Sequence, residues 1–472
     1  MPSDAPSAGS TDAFDEGLLS PVTVGLDGAV SDTAVLGALV AAEVALVRAH
    51  VAVGAAPPAV AAAVEAALGW VGPGEPCRGH GVALGPLATA AVAGGNPVIP
   101  LVGALRDRVP ASARPWVHRG ATSQDVLDSA LTLVAARASA LVVDALRRTE
   151  DALAVFAGAH RDEVAAGRTL TQHAVPTTVG LRAAVWLAGV RRGRARLEAA
   201  RAALPAQLGG AAGTLASFVE LLGAEGARDL TARFAAELCL AVPEAPWHTT
   251  RWPVTELGDA LVQAVDAVGK LASDVATLSR TEIGELAEGI GGGSSAMPQK
   301  RNPAASVLIR SAALRAPHLG ATLHTAAALA VDERPDGAWH AEWPVLRELL
   351  RLALGASAHA ARLVEGLRVD PAAVARNLAA TGGGIVAERL SSVLGPLIGR
   401  ERLAVLVAGA SPATPLDALV RALPEAAGLD VDALLDPARY VGLAGALVDR
   451  AVAADGADGG RPRPAPDPEE PA

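Results

Sequence analysis

The residues best suited to chemistry lie in one short segment, GGGSSAMPQKRNP, at positions 291–303. This chain nearly avoids three residue types: lysine occurs only at Lys270 and Lys300, and the only methionine after the first residue is Met297. Asn302 is one of three asparagines. Because a drifting surface loop would not gather three such scarce residue types within six positions, we infer that the loop is chemically constrained.

The side chains of this loop offer hydroxyl groups and a positive charge. Ser294 and Ser295 supply the hydroxyls, and the ammonium group of Lys300 is a point charge that can bind a carboxylate. The consecutive glycines permit the backbone motion that a closing lid needs. Asn302 followed by Pro303 is typical of a helix N-cap and first helical residue. On residue types alone, a flexible interhelical loop explains the segment equally well.

A second segment, GATSQD at positions 120–125, has the pattern of a helix start. Thr122 followed three positions later by Asp125 predicts a capping box. The hydroxyl groups of Thr122 and Ser123, together with the free backbone N–H groups of the first helical turn, would also bind an anion well. The segment is therefore either a helix cap alone or an anion-binding helix N-terminus.

A third segment, GRTLTQHAVPTT at positions 167–178, contains His173. An imidazole gains or loses a proton near neutral pH and therefore suits general acid–base catalysis. We expect this segment to connect two helices, so the alternative is a histidine that only satisfies a helix cap.

Long helices must position these three segments. Aromatic residues make up only 3% of the chain, and its apolar content is mostly Ala, Val and Leu, of which Ala and Leu are strong helix formers. From Thr255 to Leu286 apolar residues recur every three or four positions without a proline, which predicts a helix about 48 Å long. Similar patterns predict four more long helices, over residues 126–164, 177–203, 304–330 and 343–367.

These patterns predict an all-α fold, an elongated bundle of long helices with smaller helical N- and C-terminal domains. Pro110 and the Asp370-Pro371 pair mark the boundaries of the bundle. We expect a flexible tail, an N-terminal helical domain, a central bundle, a C-terminal helical domain and a disordered tail over residues 1–17, 18–110, 111–368, 369–454 and 455–472, respectively.

Composition and charge exclude several classes of protein. The formal net charge of -10 argues against a nucleic-acid partner or an anionic membrane surface. No run of about 18 residues is both free of charge and continuously apolar, and the N-terminus lacks the features of a secretory signal. Cys77 and Cys239 form neither a disulfide framework nor a metal-spaced cluster. We therefore expect a soluble, cytoplasmic protein without a membrane span.

The segment GSSAMPQKRNP closely resembles the signature loop of the fumarase/aspartase superfamily. The resemblance implies that Ser294 is the catalytic base on a mobile loop. It further implies that Lys300 and Asn302 bind a substrate carboxylate, with Arg301 as a second carboxylate contact. Enzymes of this superfamily eliminate a group that lies β to a carboxylate, and no metal or organic cofactor is implied.

The other two segments resemble further regions of that superfamily. In the first, Thr122 and Ser123 would hold a substrate carboxylate. In the second, many relatives carry a histidine directly after the Arg-Thr pair, where this chain has Leu170. His173 remains, and the resemblance implies a catalytic role for it and a substrate contact for Gln172.

The run GAWHAEW at positions 337–343 is the most discriminating part of a resemblance that extends over residues 18–410. It is similar to the bacterial 3-carboxy-cis,cis-muconate cycloisomerases. This resemblance implies the reversible lactonisation of 3-carboxy-cis,cis-muconate to 4-carboxymuconolactone, in the protocatechuate branch of the β-ketoadipate pathway. It also implies a homotetramer in which each active site draws its segments from three subunits.

Three alternatives remain open. An adenylosuccinate lyase has a nearly identical loop, but Leu170 replaces the histidine that such lyases use. The second alternative is a carboxylate lyase with another substrate, such as an amino-acid derivative. It is suggested by Arg119, which stands where many relatives carry tryptophan. The third alternative is a helical structural homologue without activity. The presence of all three loop residues, Ser294, Lys300 and Asn302, argues against it.

Overall fold

The structure is a computed structural model that describes residues 17–293, 297, 299–411 and 414–453. Up to residue 365 its helices are α1 (Asp32–Ala52), α2 (Pro58–Leu68), α3 (Leu84–Gly94), α4 (Val98–Arg108), α5 (Ser123–Ala159), α6 (Val179–Ala202), α7 (Ala216–Glu237), α8 (Trp252–Leu278), α9 (Ala304–Ala328) and α10 (Gly337–Glu365). Shorter helices follow, namely α11 (Pro371–Ala379), α12 (Ala387–Val393), α13 (Gly395–Ile398), α14 (Arg400–Ala408), α15 (Leu416–Arg421), α16 (Val431–Leu435) and α17 (Ala444–Ala453).

Strands are few in the described part of the chain. They form two antiparallel pairs, β1 (Val164–Thr169) with β2 (Gln172–Thr178) and β3 (Leu286–Ala287) with β4 (Arg368–Val369). The helices α5, α6, α8, α9 and α10 each have between 24 and 37 residues and overlap the five predicted long helices, with ends that differ by several residues. The predicted all-α class is confirmed.

Helix α8 shows how apolar spacing produces a buried face. Leu257 and Leu261 are buried, whereas Asp259 between them is exposed, as expected for residues on opposite sides of a helix. The predicted end of this helix was wrong, because the helix stops at Leu278 and Leu286 lies in β3. The apolar spacing continues by chance into the segment between α8 and β3, so periodicity alone could not show where the helix ends.

Residues 164–178 connect α5 and α6, as expected, but they do so as a β-hairpin, which the helical patterns did not predict. Arg168 lies directly opposite His173 in the antiparallel ladder. The ladder is irregular at Gly167, where a Cβ atom would lie 2.6 Å from the carbonyl oxygen of Val175. Only glycine fits this bulge. The threonines and valines of the segment favour a strand, and this preference prevails over its alanine-rich surroundings.

The described chain divides into two compact units. The first comprises residues 17–148, 190–273 and the described part of 294–363, and the second comprises 149–189, 274–293 and the described part of 364–453. Both units are discontinuous in sequence, because the chain passes between them several times. The domain boundaries proposed near residues 110 and 369 stay a prediction.

In the part of the chain that the structure describes, two helices are long and apolar enough to cross a membrane by length and composition, α1 and α5. In both, most of the apolar window is buried inside the structure, 78% in α1 and 72% in α5. Core helices that pack on protein from several sides have this composition. Packing within the fold therefore accounts for the hydropathy of both helices.

Candidate active site

Thr122 directly precedes α5, and its contacts confirm the predicted capping box in part. The Thr122 backbone N–H donates to Oδ2 of Asp125 at 3.0 Å, and the Thr122 hydroxyl accepts from Nη2 of Arg334 at 2.6 Å. Ser123 is the first residue of the helix and is half-buried. Its hydroxyl has no hydrogen-bond partner among the described residues. An unused hydroxyl therefore lies at the positive end of a 37-residue helix.

Asp125, in the first turn of α5, ties a glycine-rich loop to this helix start. Its buried Oδ1 accepts from the backbone N–H of Gly209 at 2.8 Å and lies 2.9 Å from Nε2 of His248, and its Oδ2 accepts from the Gly210 N–H at 2.9 Å. Because a carboxylate only accepts, the proton of this contact lies on Nε2. A Cβ on Gly209 would lie 2.8 Å from Cε1 of His248. Only glycine therefore permits this close approach.

One turn further along α5, Asp128 belongs to a buried ion network. Arg251 donates to the two carboxylate oxygens of Asp128 at 2.7 and 3.1 Å and to Oε2 of Glu342 at 2.7 Å. The indole of Trp339 and the amide of Gln124 also donate to Asp128, at 2.8 and 3.2 Å. Because a buried charge is stable only when it is paired, this network fixes the starts of α5, α8 and α10. Trp339 and Glu342, which both belong to the discriminating run 337–343, thus have structural roles.

Arg334, in the turn before α10, lies beside Thr122 without a carboxylate partner among the described residues. Its Nη2 group donates to the Thr122 hydroxyl and, at 3.0 Å, to the carbonyl oxygen of Ala211. Its Nε atom is buried and has no partner in the described part of the chain. A guanidinium charge and the positive end of α5 therefore favour a bound anion at one place. The sequence did not identify Arg334, because arginine is common throughout this chain.

The loop at 291–303 is described only in part. Ser294, Ser295, Ala296 and Pro298 lie outside the described residues. The catalytic role of Ser294 therefore stays a prediction.

The end of this loop departs from the predicted helix cap. Lys300 and Arg301 are exposed, and neither side chain pairs with another residue that the structure describes. Helix α9 begins at Ala304, and Pro303, with ψ of 72°, is its N-cap. The cap predicted at Asn302 was therefore wrong by one residue. The Ala304 N–H donates to the carbonyl oxygen of Asn302 at 2.9 Å, in a turn that precedes the helix.

Gln172 and His173 lie on β2, in the second unit. Gln172 is exposed, and its amide donates to the Thr171 hydroxyl at 3.3 Å. Burial lowers the pKa of the half-buried His173, and the charge of Arg168 lowers it further, while Glu285 opposes both. The imidazole is therefore mainly neutral at neutral pH and able to accept a proton.

The hairpin that holds His173 is anchored on one side and strained at its tip. Arg168 donates to both oxygens of the buried Glu285, at 2.5 and 3.2 Å, and Asn377 donates to the same carboxylate at 2.9 Å. At the tip, Leu170 and Thr171 adopt φ values of 48° and 71°. Non-glycine residues adopt this left-handed conformation at a cost, which the anchored ladder offsets.

The structure groups the predicted site residues into two sets. Thr122, Ser123 and residues 300–302 belong to the first unit, and Gln172 and His173 belong to the second. In the first unit, no hydrogen bond or ion pair between described residues joins the Lys300 or Arg301 side chain to Thr122 or Ser123.

Two further observations concern cofactors and cavities. No group of three or more His, Cys, Asp or Glu side chains in the described ranges is arranged to hold a metal ion. A cavity of about 770 Å³ in the first unit is lined by Cys77, Arg137 and Cys239, among others, and it includes neither Thr122 nor Arg334.

Comparisons with known proteins agree with the resemblance. A family model described as Lyase matches residues 30–317. The chain is 46% identical to the nitrosuccinate lyase of Streptomyces davaonensis, over 93% of this chain and 94% of that protein. It is 44% identical to the 3-carboxy-cis,cis-muconate cycloisomerase of Pseudomonas aeruginosa, over 80% of this chain and 85% of that protein. The crystal structure of the 3-carboxy-cis,cis-muconate lactonizing enzyme from Pseudomonas putida superposes with a TM-score of 0.83 at 35% identity, covering 93% of this chain and 98% of that one.

These similarities confirm the family resemblance that the loop motif and the run 337–343 predicted. This protein belongs to the Lyase family.

Proposed function

We propose that this protein is a cycloisomerase that catalyses the reversible lactonisation of 3-carboxy-cis,cis-muconate to 4-carboxymuconolactone. The similarity to the Pseudomonas aeruginosa cycloisomerase over four fifths of the chain carries this proposal. The substrate is a small polycarboxylate, which suits a site where a helix N-terminus and a guanidinium group meet.

The reaction defines what the site must supply. In the lactonising direction, a carboxylate oxygen forms a C–O bond to one carbon of a double bond, and a proton is added to the carbon next to another carboxylate. In reverse, that α-proton is removed, its electron pair forms the double bond, and the C–O pair leaves with the carboxylate. The intermediate carries extra negative charge on the α-carboxylate oxygens, so catalysis requires hydrogen-bond donors placed in advance.

Thr122, Ser123 and Arg334 are the donors that the described residues favour for one substrate carboxylate. Arg334 is already oriented by its bonds to the Thr122 hydroxyl and to Ala211, and its charge is not used by any described carboxylate. The Ser123 hydroxyl is free of other partners among the described residues. A site of this kind requires little reorganisation when the anion arrives.

The remaining roles in the proposal rest on the resemblance. Ser294 transfers the α-proton, and Lys300, Arg301 and Asn302 hold further carboxylates. A serine is a poor base in water, so closure of the loop and exclusion of water must contribute.

Gln172 and His173 complete the proposed set, as a substrate contact and an acid–base group. The neutral imidazole of His173 is suited to accept a proton. No metal or organic cofactor is part of this proposal.

The proposed assembly is a cytoplasmic homotetramer in which each active site combines segments of three subunits. Ser294→Ala and His173→Gln variants, each inactive alone, would then regain part of the activity when unfolded and refolded together. If mixing restores nothing although each variant assembles normally, the shared-site proposal is wrong.

A second candidate function is the elimination of nitrite from nitrosuccinate. The observation that favours it is the higher identity, over a larger share of the chain, to the nitrosuccinate lyase of Streptomyces davaonensis. The chemistry is related, because a proton next to a carboxylate and a leaving group on the adjacent carbon would be removed. In this chain Arg119, where the sequence departs from many cycloisomerases, stacks on Trp116 at 4.5 Å.

One experiment separates these functions. Purified wild-type protein and the Ser294→Ala variant are assayed with 3-carboxy-cis,cis-muconate by loss of its ultraviolet absorbance, with nitrosuccinate by nitrite release, and with adenylosuccinate. The proposal expects turnover of the muconate by the wild type and its loss in the variant. Nitrite release without muconate turnover would assign the second function, and turnover of adenylosuccinate alone would contradict both.

A further inference from the structure

The cavity of about 770 Å³ in the first unit lies away from the proposed carboxylate site. Part of its lining is the middle of α5, from Leu133 to Leu141, and another part is the loop at 73–80. Leu133 follows Ser123 by ten positions, which corresponds to about 15 Å along the helix axis. A cavity of this size holds a small organic molecule. It is therefore a separate compartment that the proposed reaction does not use.

The charged side chains at this cavity are mostly cationic. Arg78, Arg137 and Arg201 line it, and Glu75 is the only acidic side chain among the described residues that do so. The chain as a whole has a formal net charge of -10. The lining therefore departs from the charge of the whole protein, and its local excess of positive charge attracts anions.

One of the three arginines is neutralised, and the other two are not. Arg137 donates to Oε1 of Glu75 at 2.5 Å, and this ion pair joins the loop to α5. Arg201, at the end of α6, donates through Nε to the carbonyl oxygen of Ala136 at 2.9 Å, which orients it without neutralising its charge. No carboxylate in the described part of the chain pairs with Arg201 or with Arg78. Two guanidinium groups therefore remain for an anionic ligand.

His80 of the same loop also lines the cavity and adds a neutral donor. The Val82 backbone N–H donates to Nδ1 of His80 at 3.1 Å, so the neutral ring carries its proton on Nε2. Burial lowers the pKa of His80, and the charge of Arg108 lowers it further. The ring is therefore mainly neutral near neutral pH. No described residue accepts a hydrogen bond from this Nε2–H.

Much of the remaining lining is apolar. Leu133 and Val134 of α5 and Leu238, directly after α7, are buried, whereas Leu141 is 52% exposed. An inorganic ion would leave these side chains uncovered, whereas the hydrocarbon part of an organic acid would remove them from water. The lining thus combines separate cationic groups with an apolar surface.

We propose that this cavity is a second binding site, for a small organic acid that carries two acidic groups on an apolar body. Arg78 and Arg201 bind the acidic groups, and the apolar body lies against the α5 residues Leu133, Val134 and Leu141. The ligand thereby joins the loop at 73–80 to the end of α6. This inference goes beyond the proposed function, because no residue of the proposed catalytic set takes part in it.

The exposed thiol of Cys239 lines this cavity and reports directly on its occupancy. The full-length protein is alkylated with iodoacetamide, an uncharged reagent, in the presence and absence of millimolar benzene-1,2-dicarboxylate. Mass spectrometry of the digested protein gives the rate at Cys239. We expect a saturable decrease in this rate, of about tenfold when the ligand concentration is about ten times its Kd.

Substitutions at the cavity separate specific binding from a general effect of the acid. Arg78→Gln and Arg201→Gln should each raise the half-protecting concentration about 10- to 100-fold, the effect of losing one charge-assisted contact. The matched control is Arg362→Gln, since Arg362 is also exposed and donates through Nε to the carbonyl oxygen of Ala358 at 3.3 Å. It should leave protection unchanged. Ala140→Phe keeps every charge but fills the cavity, so it should abolish protection.

Two further acids test the chemical class of the ligand. Benzoate, which has one acidic group, should protect Cys239 only at higher concentration than benzene-1,2-dicarboxylate, and inorganic phosphate should protect more weakly still. Equal protection by phosphate would overturn the assignment to an organic acid. Absence of protection in the wild type, or protection that persists unchanged in both arginine variants, would overturn the site itself. Because alkylation is measured without turnover, failure of the proposed function would not affect this result.

Discussion

The carboxylate of Asp125 lies 2.9 Å from Nε2 of His248, and this contact joins the start of α5 to a chain segment more than a hundred residues away. The same carboxylate accepts from the backbone N–H groups of Gly209 and Gly210 and from that of Thr122. One buried side chain therefore holds together the glycine loop, the His248 imidazole and the start of α5, where the proposed carboxylate site lies.

Replacing Asp125 by asparagine tests this central position. The new side-chain amide would place an NH₂ group against N–H donors, so at least one buried donor would lose its acceptor, at about 1–3 kcal/mol. We expect a lower thermal unfolding temperature and a loss of kcat/KM of at least about tenfold, since small displacements of positioning groups reduce catalysis strongly. An Asp125→Asn variant with wild-type stability and kinetics would contradict the role assigned to this carboxylate.

The buried network around Arg251 is expected to be the most sensitive part of the first unit. Arg251→Met leaves the carboxylates of Asp128 and Glu342 without their cation, and breaking a buried pair in this way costs about 3–5 kcal/mol. The matched control is Arg315→Met, which removes the partly exposed pair with Glu348 and should cost at most about 1 kcal/mol. Urea unfolding followed by circular dichroism measures both. Equal losses in the two variants would be evidence against the buried network.

Arg334→Gln tests the proposed carboxylate contact separately from stability. The change removes the charge but keeps a hydrogen-bonding amide near Thr122, so we expect an unfolding temperature close to that of the wild type. We expect KM for the polycarboxylate substrate to rise about 10- to 100-fold, the effect of losing one charge-assisted contact of about 1.5–3 kcal/mol. Arg362→Gln, on the exposed end of α10, is the control. An unchanged KM in Arg334→Gln would exclude this contact.

Glu285 should make the second unit sensitive to acid. Burial alone would raise the pKa of the Glu285 carboxyl, but the hydrogen bonds and charges from Arg168, Asn377 and Arg182 lower it below its ordinary value of 4.5. A carboxyl with a lowered pKa stabilises the fold above its unfolded pKa, and this stabilisation is lost as the pH falls through the folded value.

The Glu285→Gln variant should therefore lose stability near neutral pH, on the order of 2 kcal/mol, and lose less than the wild type on acidification. Thermal unfolding followed from neutral pH to below the lowered pKa of Glu285 would show this difference. The exposed Glu282, in the same segment, supplies the control variant Glu282→Gln. A parallel acid dependence in wild type and Glu285→Gln would contradict the assignment.

The two thiols should differ in reactivity. Burial raises the pKa of Cys77 to about 12, so almost none of it is thiolate near neutral pH, whereas Cys239 is exposed. A disulfide reagent added to the native protein should titrate one thiol per chain rapidly and the second only after denaturation. Rapid reaction of a thiol in a Cys239→Ser variant would show that Cys77 is accessible.

Local patterns in the sequence were sufficient for the long helices and for the cap at Thr122. Apolar spacing and alanine content act between residues a few positions apart, and α5, α6, α8, α9 and α10 depend mainly on them. The loop motif and the run 337–343 likewise identified the family, because each is contiguous. The hairpin at 164–178 was missed, since its ladder depends on cross-strand pairing that no short window contains.

Which polar groups meet was decided only by the tertiary structure. Glu43 and His118, and likewise Thr122 and Arg334, are separated by 75 and 212 positions. Their pairing depends on how the helices that carry them pack, and helix periodicity does not record which face meets which partner. The sequence by itself determined the helices, the family and the residue types available for catalysis. Packing determined their partners, because a buried charge must find its counterpart wherever the folded chain brings one near.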